Sequence, residues 1–230
     1  MIEPRAAIRA GQLSKSFGGR IVLDAVDLEI ARGQSVAVTG ANGAGKTTLL
    51  GCLASVLRPD GGEVRWFGQL AGRDLAMHRW IGLLAHESGL YPHLTLRENL
   101  AFAARMSRAG HPRRRADRWL EATGLAPHAD VLPARLSRGM RQRLDIARSL
   151  VHDPPLLLLD EPFTHLDAAG TEWLVGLLVE LRTRGHTLCF VTHEREKLRL
   201  LATRVLELRG GKVFDVPAMP AEHHPLIRAA

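Results

Sequence analysis

Eight consecutive residues, Gly40, Ala41, Asn42, Gly43, Ala44, Gly45, Lys46 and Thr47, fit the spacing G-x-x-x-x-G-K-[ST] in full, and Thr48 completes the loop. Such a run suits a chain of phosphates. Its backbone N–H groups point inward around the anion, and Gly43 and Gly45 leave room for close approach. A helix that follows presents the positive end of its dipole to the same anion. Lys46 is expected to pair with β- and γ-phosphate oxygens, and the Thr47 hydroxyl to ligate Mg²⁺. Further along, the apolar run Leu156–Leu159 leads straight into Asp160, Glu161 and Pro162. Two adjacent carboxylates can divide labour, Asp160 holding the Mg²⁺ shell and Glu161 polarising an attacking water. Asp-Glu-Pro is also good turn chemistry, but the phosphate loop upstream favours the functional reading.

These residues need elements to position them. SVAVTG, from Ser35 to Gly40, reads as a short apolar strand that enters the loop, and KTTLLGCLASVL, from Lys46 to Leu57, as the helix that leaves it. LLLLD is a continuous apolar strand of the kind buried on both faces of a parallel sheet, whose C-terminal end is where ligands bind. Before the loop, AIRAGQL and IVLDAVDLEI alternate as strands around a KSFGGR turn. After it, RPDGGEV reads as a turn, and WFG and IGLLA as short strands. Thr95 and Glu98 have capping-box spacing for a helix reaching Met106. The stretch from there to about Val151 is helical and arginine-rich. A helix over Ala168–Arg184, the strand TLCFVT, a further helix and the hairpin RVLELRGGKVFDV, turning at Gly210 and Gly211, complete the pattern. The class expected is α/β: a phosphate-loop NTPase core with a mainly parallel central sheet, an antiparallel β subdomain and a helical subdomain inserted over roughly 95–150 of a single 1–230 domain. The tail from Pro217, with adjacent histidines, reads as a frayed end.

Composition narrows the class. With 46% apolar and 24% charged residues in 230, the chain is of globular type. Its apolar runs fall far short of the ~20 residues that span a bilayer, and the opening MIEPRAAIRAGQ is too polar for a signal peptide. Cys52 and Cys189 lack metal-ligand spacing and read as reduced, buried residues of a cytosolic protein.

LSRGM (Leu136–Met140), running on into RQRLDIARSLVHDPPLLLLDEP, together with the phosphate loop, FTHLD (Phe163–Asp167) and VTH ending at His193, resembles the ATP-binding-cassette nucleotide-binding domains over nearly the whole chain. The resemblance implies a head-to-tail dimer sandwiching two ATP molecules. In it, Ser137 and Gly139 of one copy face the γ-phosphate held by the other copy's Gly40–Thr48 loop, and Asp167 sits in the loop that reaches across. It also implies that Phe17 stacks on adenine and that His193 contacts the γ-phosphate. Two positions depart from the family pattern. Arg138 and Met140 replace a glycine and a glutamine, as in some export-type systems. His86 stands where the family has a metal-contacting glutamine. Together with a following Gly-Leu, it resembles the ATP-binding subunit of the cytochrome c biogenesis haem exporter. Neutral imidazole suits Mg²⁺ less well than an amide oxygen, so the metal contact lies with His86, Glu87 or water.

The formal charge of +7 first suggests nucleic acid. Arg105–Arg148 holds eleven arginines against four acids, however, an excess of seven that accounts for the whole net charge. The basic charge therefore belongs to the helical insertion and the signature region. There it could serve the nucleotide sandwich, the docking of a membrane subunit's cytoplasmic helix, or anionic lipid. The sequence-level expectation is an ATPase working on the cytoplasmic face of the membrane with a second copy of itself and a separate integral membrane subunit. It would be an exporter, with no nucleic acid partner. The alternative is a soluble cassette ATPase acting on ribosomes or DNA.

Overall fold

A computed structural model describes residues 6–72 and 75–217. The readings of the opening segment and of the histidine-containing tail lie outside these, Ala6–Gln12 and Pro217 excepted. Among the described residues, ten strands build two sheets. β1 (Ala6–Phe17), β2 (Arg20–Ala31), β4 (Gly61–Trp66) and β5 (Gln69–Leu70) form an antiparallel sheet in the order β2-β1-β4-β5. The second sheet has the order β10-β9-β3-β8-β7-β6. It is made from β3 (Ser35–Thr39), β6 (Ile81–Leu84), β7 (Leu156–Asp160), β8 (Thr187–Val191), β9 (Arg204–Arg209) and β10 (Lys212–Val216). All its neighbours run parallel except the β9–β10 hairpin. Gly210 and Gly211 take φ of 56° and 78° in that hairpin, as a two-residue turn demands.

The parallel strands are apolar throughout because they are covered on both sides, and alternate residues serve different cores. Val36, Val38, Leu156 and Leu158 pack with the antiparallel sheet and with α1 (Lys46–Leu53). Ala37, Leu157, Leu159, Leu188 and Phe190 pack under α5 (Ala168–Thr183) and α6 (Arg195–Leu201). A third cluster belongs to the helical lobe: α2 (Leu96–Met106), α3 (Pro112–Ala122) and α4 (Arg138–Leu150) close around Leu96, Leu100, Leu120 and Leu144. Cys52 and Cys189 are free and buried, and burial pushes their thiols up to about 11 and about 12.

Three expectations change. The helix after the phosphate loop stops at Leu53 rather than Leu57. Ala54 caps it, and Ser55 takes a left-handed φ of 56°. The segment read as a turn, RPDGGEV, gives its second half to β4, because Gly61–Trp66 pairs with β1. There a Cβ on Gly62 would meet the Gln12 and Gly11 carbonyls at 2.3 and 2.4 Å. Consequently WFG is the end of a strand plus a turn, with Phe67 at φ 50°. The KSFGGR turn shrinks to Gly18 and Gly19, since Lys15–Phe17 stay in β1. The Thr95–Glu98 capping box forms as spaced, and the Glu98 N–H donates to Thr95 Oγ1 at 3.2 Å.

Candidate active site

The phosphate loop joins β3 to α1, and two of its glycines are required by their neighbours. A Cβ on Gly40 (φ +141°) would lie 2.4 Å from the Leu208 carbonyl oxygen, and one on Gly45 (φ +104°) 2.6 Å from Val22 Cγ1. Gly43 (φ +75°) differs, because its missing Cβ faces open space. Its requirement is conformational, and it keeps the side where an anion would approach clear. Lys46 opens α1 and folds back over the loop. Its Nζ donates to the Gly40 and Ala41 carbonyls at 2.9 and 3.0 Å, and the residue is 8% exposed.

β7 runs beside β8, so Asp160 stands opposite Val191 and both strands end at the same edge. Asp160 is buried, and its Oδ2 has no hydrogen-bond partner. A buried carboxylate oxygen without a donor is costly unless a cation satisfies it. This orphaned oxygen and the Thr47 hydroxyl at the start of α1 are the kind of sparse, hard-oxygen set that Mg²⁺ uses when substrate phosphates complete its shell. Among the described residues no group of three or more His, Cys, Asp or Glu could hold a metal alone.

Glu161 turns the chain out of β7 with φ +48°, a strained value for a non-glycine residue, while its N–H donates to the Val191 carbonyl at 3.2 Å. Its Oε1 lies 3.2 Å from Nε2 of His193, which follows β8. Burial raises the Glu161 pKa. His193 and Lys46 oppose the rise, and Asp160 and Glu194 add to it. A half-buried carboxylate with a raised pKa beside an imidazole is suited to accept a proton from water.

A second group forms around the starts of α4 and α5. Ser137 caps α4, accepting the Met140 N–H at 3.2 Å, and Asp167 caps α5, accepting the Gly170 N–H at 2.8 Å. That bond and the Arg143 guanidinium, 3.2 Å away, hold the Asp167 carboxyl below its ordinary range. Gln142 Nε2 donates to the Pro162 carbonyl at 3.0 Å, and a Cβ on Gly139 would come 2.9 Å from the His165 carbonyl oxygen. The signature helix is thus tied to the segment that leaves Glu161. Phe17, half exposed with Lys15 Nζ 5.3 Å from its ring, sits at the end of the β1–β2 hairpin. That hairpin also carries Val22 against Gly45.

His86 is exposed, two residues past β6, the strand next to β7. Its loop is anchored by a residue the sequence did not single out. Asp145 of α4, 4% exposed, accepts the Gly89 N–H at 3.3 Å, bonds Ser88 and faces Arg148 at 3.6 Å. Asn99 performs a similar task next door. It accepts the Tyr91 N–H at 2.7 Å and donates to the Tyr91, Leu94 and Thr95 carbonyls. Arg143, Asp145 and Asn99 look like ordinary helix residues in sequence, since their partners lie in other elements.

Two concavities flank these elements. The larger, about 710 Å³, lies beyond the far end of α1 between Cys52 and Gly72, away from the phosphate loop. The other is a groove of about 340 Å³ between core and helical lobe. Val56, His78, Tyr91, Phe102, Met106 and Arg148 are among its walls.

Residues 23–164 match the family described as ABC transporter. The chain is 37% identical over 217 residues to a probable sulfate/thiosulfate import ATP-binding protein CysA of Chlorella vulgaris, covering 93% of this chain and 92% of that one. It is also 37% identical over 218 residues to the sulfate/thiosulfate import ATP-binding protein CysA of Synechococcus elongatus, covering 94% of this chain but 63% of that longer protein. In structure it is similar to an ATP-binding cassette solved as a dimer in a post-hydrolysis state with ADP and Pi bound. The TM-score is 0.84 at 29% identity, over 92% of this chain and 99% of that one. The chain belongs to the ABC transporter family, as an ATP-hydrolysing cassette. The haem-exporter subclass drawn from His86 gains no support here, since both relatives are named for import.

Proposed function

We propose that this chain hydrolyses MgATP in a head-to-tail dimer and drives a separate membrane-spanning subunit seated in the groove beside Tyr91 and Phe102. The observation that carries the chemistry is the meeting, at one edge of the parallel sheet, of the phosphate loop, the orphaned Asp160 oxygen and the Glu161–His193 pair. Gly40–Thr48 binds the phosphates through backbone N–H groups, and Lys46 exchanges its two carbonyl partners for phosphate oxygens. Asp160 and Thr47 hold Mg²⁺, which neutralises phosphate charge when bound. Glu161 takes the proton of the attacking water, and His193 orients that carboxylate and contacts the γ-phosphate. Phe17 stacks on the base. Ser137, Gly139 and Asp167 act on the nucleotide of the opposite copy. The relative solved as a dimer with ADP and Pi supports this arrangement.

Among the described residues no helix is long and apolar enough to cross a membrane, which fits a motor whose transport path lies in another subunit on the cytoplasmic side of the membrane. His86 faces the solvent at the loop after β6. A neutral imidazole is a poorer Mg²⁺ ligand than an oxygen, so the metal is assigned to Asp160 and Thr47. The relatives' names support a transported substrate taken inward. Glu161→Gln removes the base but keeps the shape, so it should trap an ATP-bound dimer. Gel filtration in MgATP that returns only monomer for this variant would sink the closing-dimer mechanism.

A further inference from the structure

Much of the excess positive charge of the chain lies at the tip of the α2–α3 hairpin. There it forms no ion pair among the described residues, Arg115 bonding backbone carbonyls and Arg105 acting on Glu98 only at a distance. Arg105, Arg108, Arg113 and Arg114 are all exposed, and none forms an ion pair among the described residues. The acids of the hairpin are engaged or distant. Glu98 completes the capping box of α2, Asp117 is bound by Arg97, and Glu121 lies about 12 Å along α3 from Arg113 at 1.5 Å per residue. Arg115 is the exception that makes the tip rigid. It donates to the Gly110 carbonyl at 3.0 Å and reaches the Val151 carbonyl at 3.2 Å, pinning the turn to the end of α4.

The arrangement costs local stability. The first turn of α3 holds Arg113 and Arg114 and no acid, so like charge gathers at the positive end of the helix dipole. Met106, next to Arg105 at the end of α2, is 69% exposed, the most exposed large apolar side chain described. Guanidinium forks match phosphate geometry and are weakly hydrated, and an apolar side chain among them suits the boundary between headgroups and acyl chains. The patch is continuous with the proposed partner groove, because Met106 and Ser107 line both.

We infer that the Arg105–Arg114 tip, Met106 included, is a contact site for the anionic phospholipid surface. It holds the ATPase against the bilayer beside its membrane subunit. This rests on the transport reading only for which surface the tip meets. Co-sedimentation with vesicles of phosphatidylcholine, alone or mixed equally with phosphatidylglycerol, tests it on the full chain. Binding is expected only to the anionic vesicles, and is expected to disappear at molar salt. R113Q/R114Q should weaken it roughly 25-fold, at about fivefold per basic residue. The charge-matched R9Q/R209Q, exposed elsewhere, should stay near wild type.

Equal binding to both vesicle types, or equal losses in the two double variants, would overturn the proposal. So would binding that requires a co-reconstituted membrane subunit, since the tip would then serve an acidic protein segment. Co-purification with a membrane subunit separates the two readings. Co-purification without vesicle binding removes the lipid contact alone, and vesicle binding without co-purification removes the transport reading alone.

Discussion

Glu161 shows how far one side chain is shaped by what surrounds it. Its partial burial and the neighbouring charge of Asp160 disfavour the ionised form, and His193 at 3.2 Å and Lys46 oppose them. Because the net direction is upward, the base form is complete only at a pH above the ordinary glutamate range. The acid limb of kcat/KM should therefore lie higher than a free glutamate would place it, with activity lost as pH falls through the raised value. Glu194 contributes to the rise from outside the reacting groups, so Glu194→Gln should move the acid limb to lower pH without abolishing turnover. Steady-state rates across pH for both proteins check the sign. A limb that moves upward in the variant contradicts the electrostatic account.

At the scale of elements, what could be read in sequence was what neighbouring residues decide. The loop glycines, the capping box of α2, the Gly210–Gly211 turn and the all-apolar LLLLD strand each follow from residues within a few positions. What escaped was set across elements. Gly61–Trp66 looks like a turn until β1 supplies a partner strand, and Asp145 looks like any polar position of α4 until the loop after β6 closes on it. That loop has no regular structure between Ala85 and Leu90, so its placement depends on side chains that reach it from α4. Asp145→Ala would leave the Gly89 N–H and the Arg148 guanidinium without their acceptor. It should cost about 2–3 kcal/mol in urea unfolding. Asp145→Asn keeps an acceptor oxygen and should recover most of the loss. If the two variants are equally stable, the loop is held by other contacts.

The whole molecule separates two tasks. The parallel sheet delivers the reacting groups to one edge, with apolar cores covering it on both sides, while the helical lobe carries its own core of Leu96, Leu100, Leu120 and Leu144. Near the site α4 meets the core through polar contacts, Gln142 to Pro162, Arg143 to Asp167 and Asp145 to the loop after β6, while Ile146 and Leu150 further along it are buried in the core. The groove lies along this junction, with Arg148 and Ser149 of α4 among its walls. A partner seated there feels the nucleotide state through the junction, and by linkage the nucleotide feels the partner. Val56 is 66% exposed on the core wall of this groove, so a charge there disturbs no packing. Val56→Glu should leave unstimulated MgATP hydrolysis and thermal stability near wild type. Stimulation by the membrane subunit should fall tenfold or more, at ~1.4 kcal/mol per decade of lost docking. The comparison needs both rates from the same preparation. A variant that loses basal and stimulated turnover together would show that groove and catalytic edge form one unit.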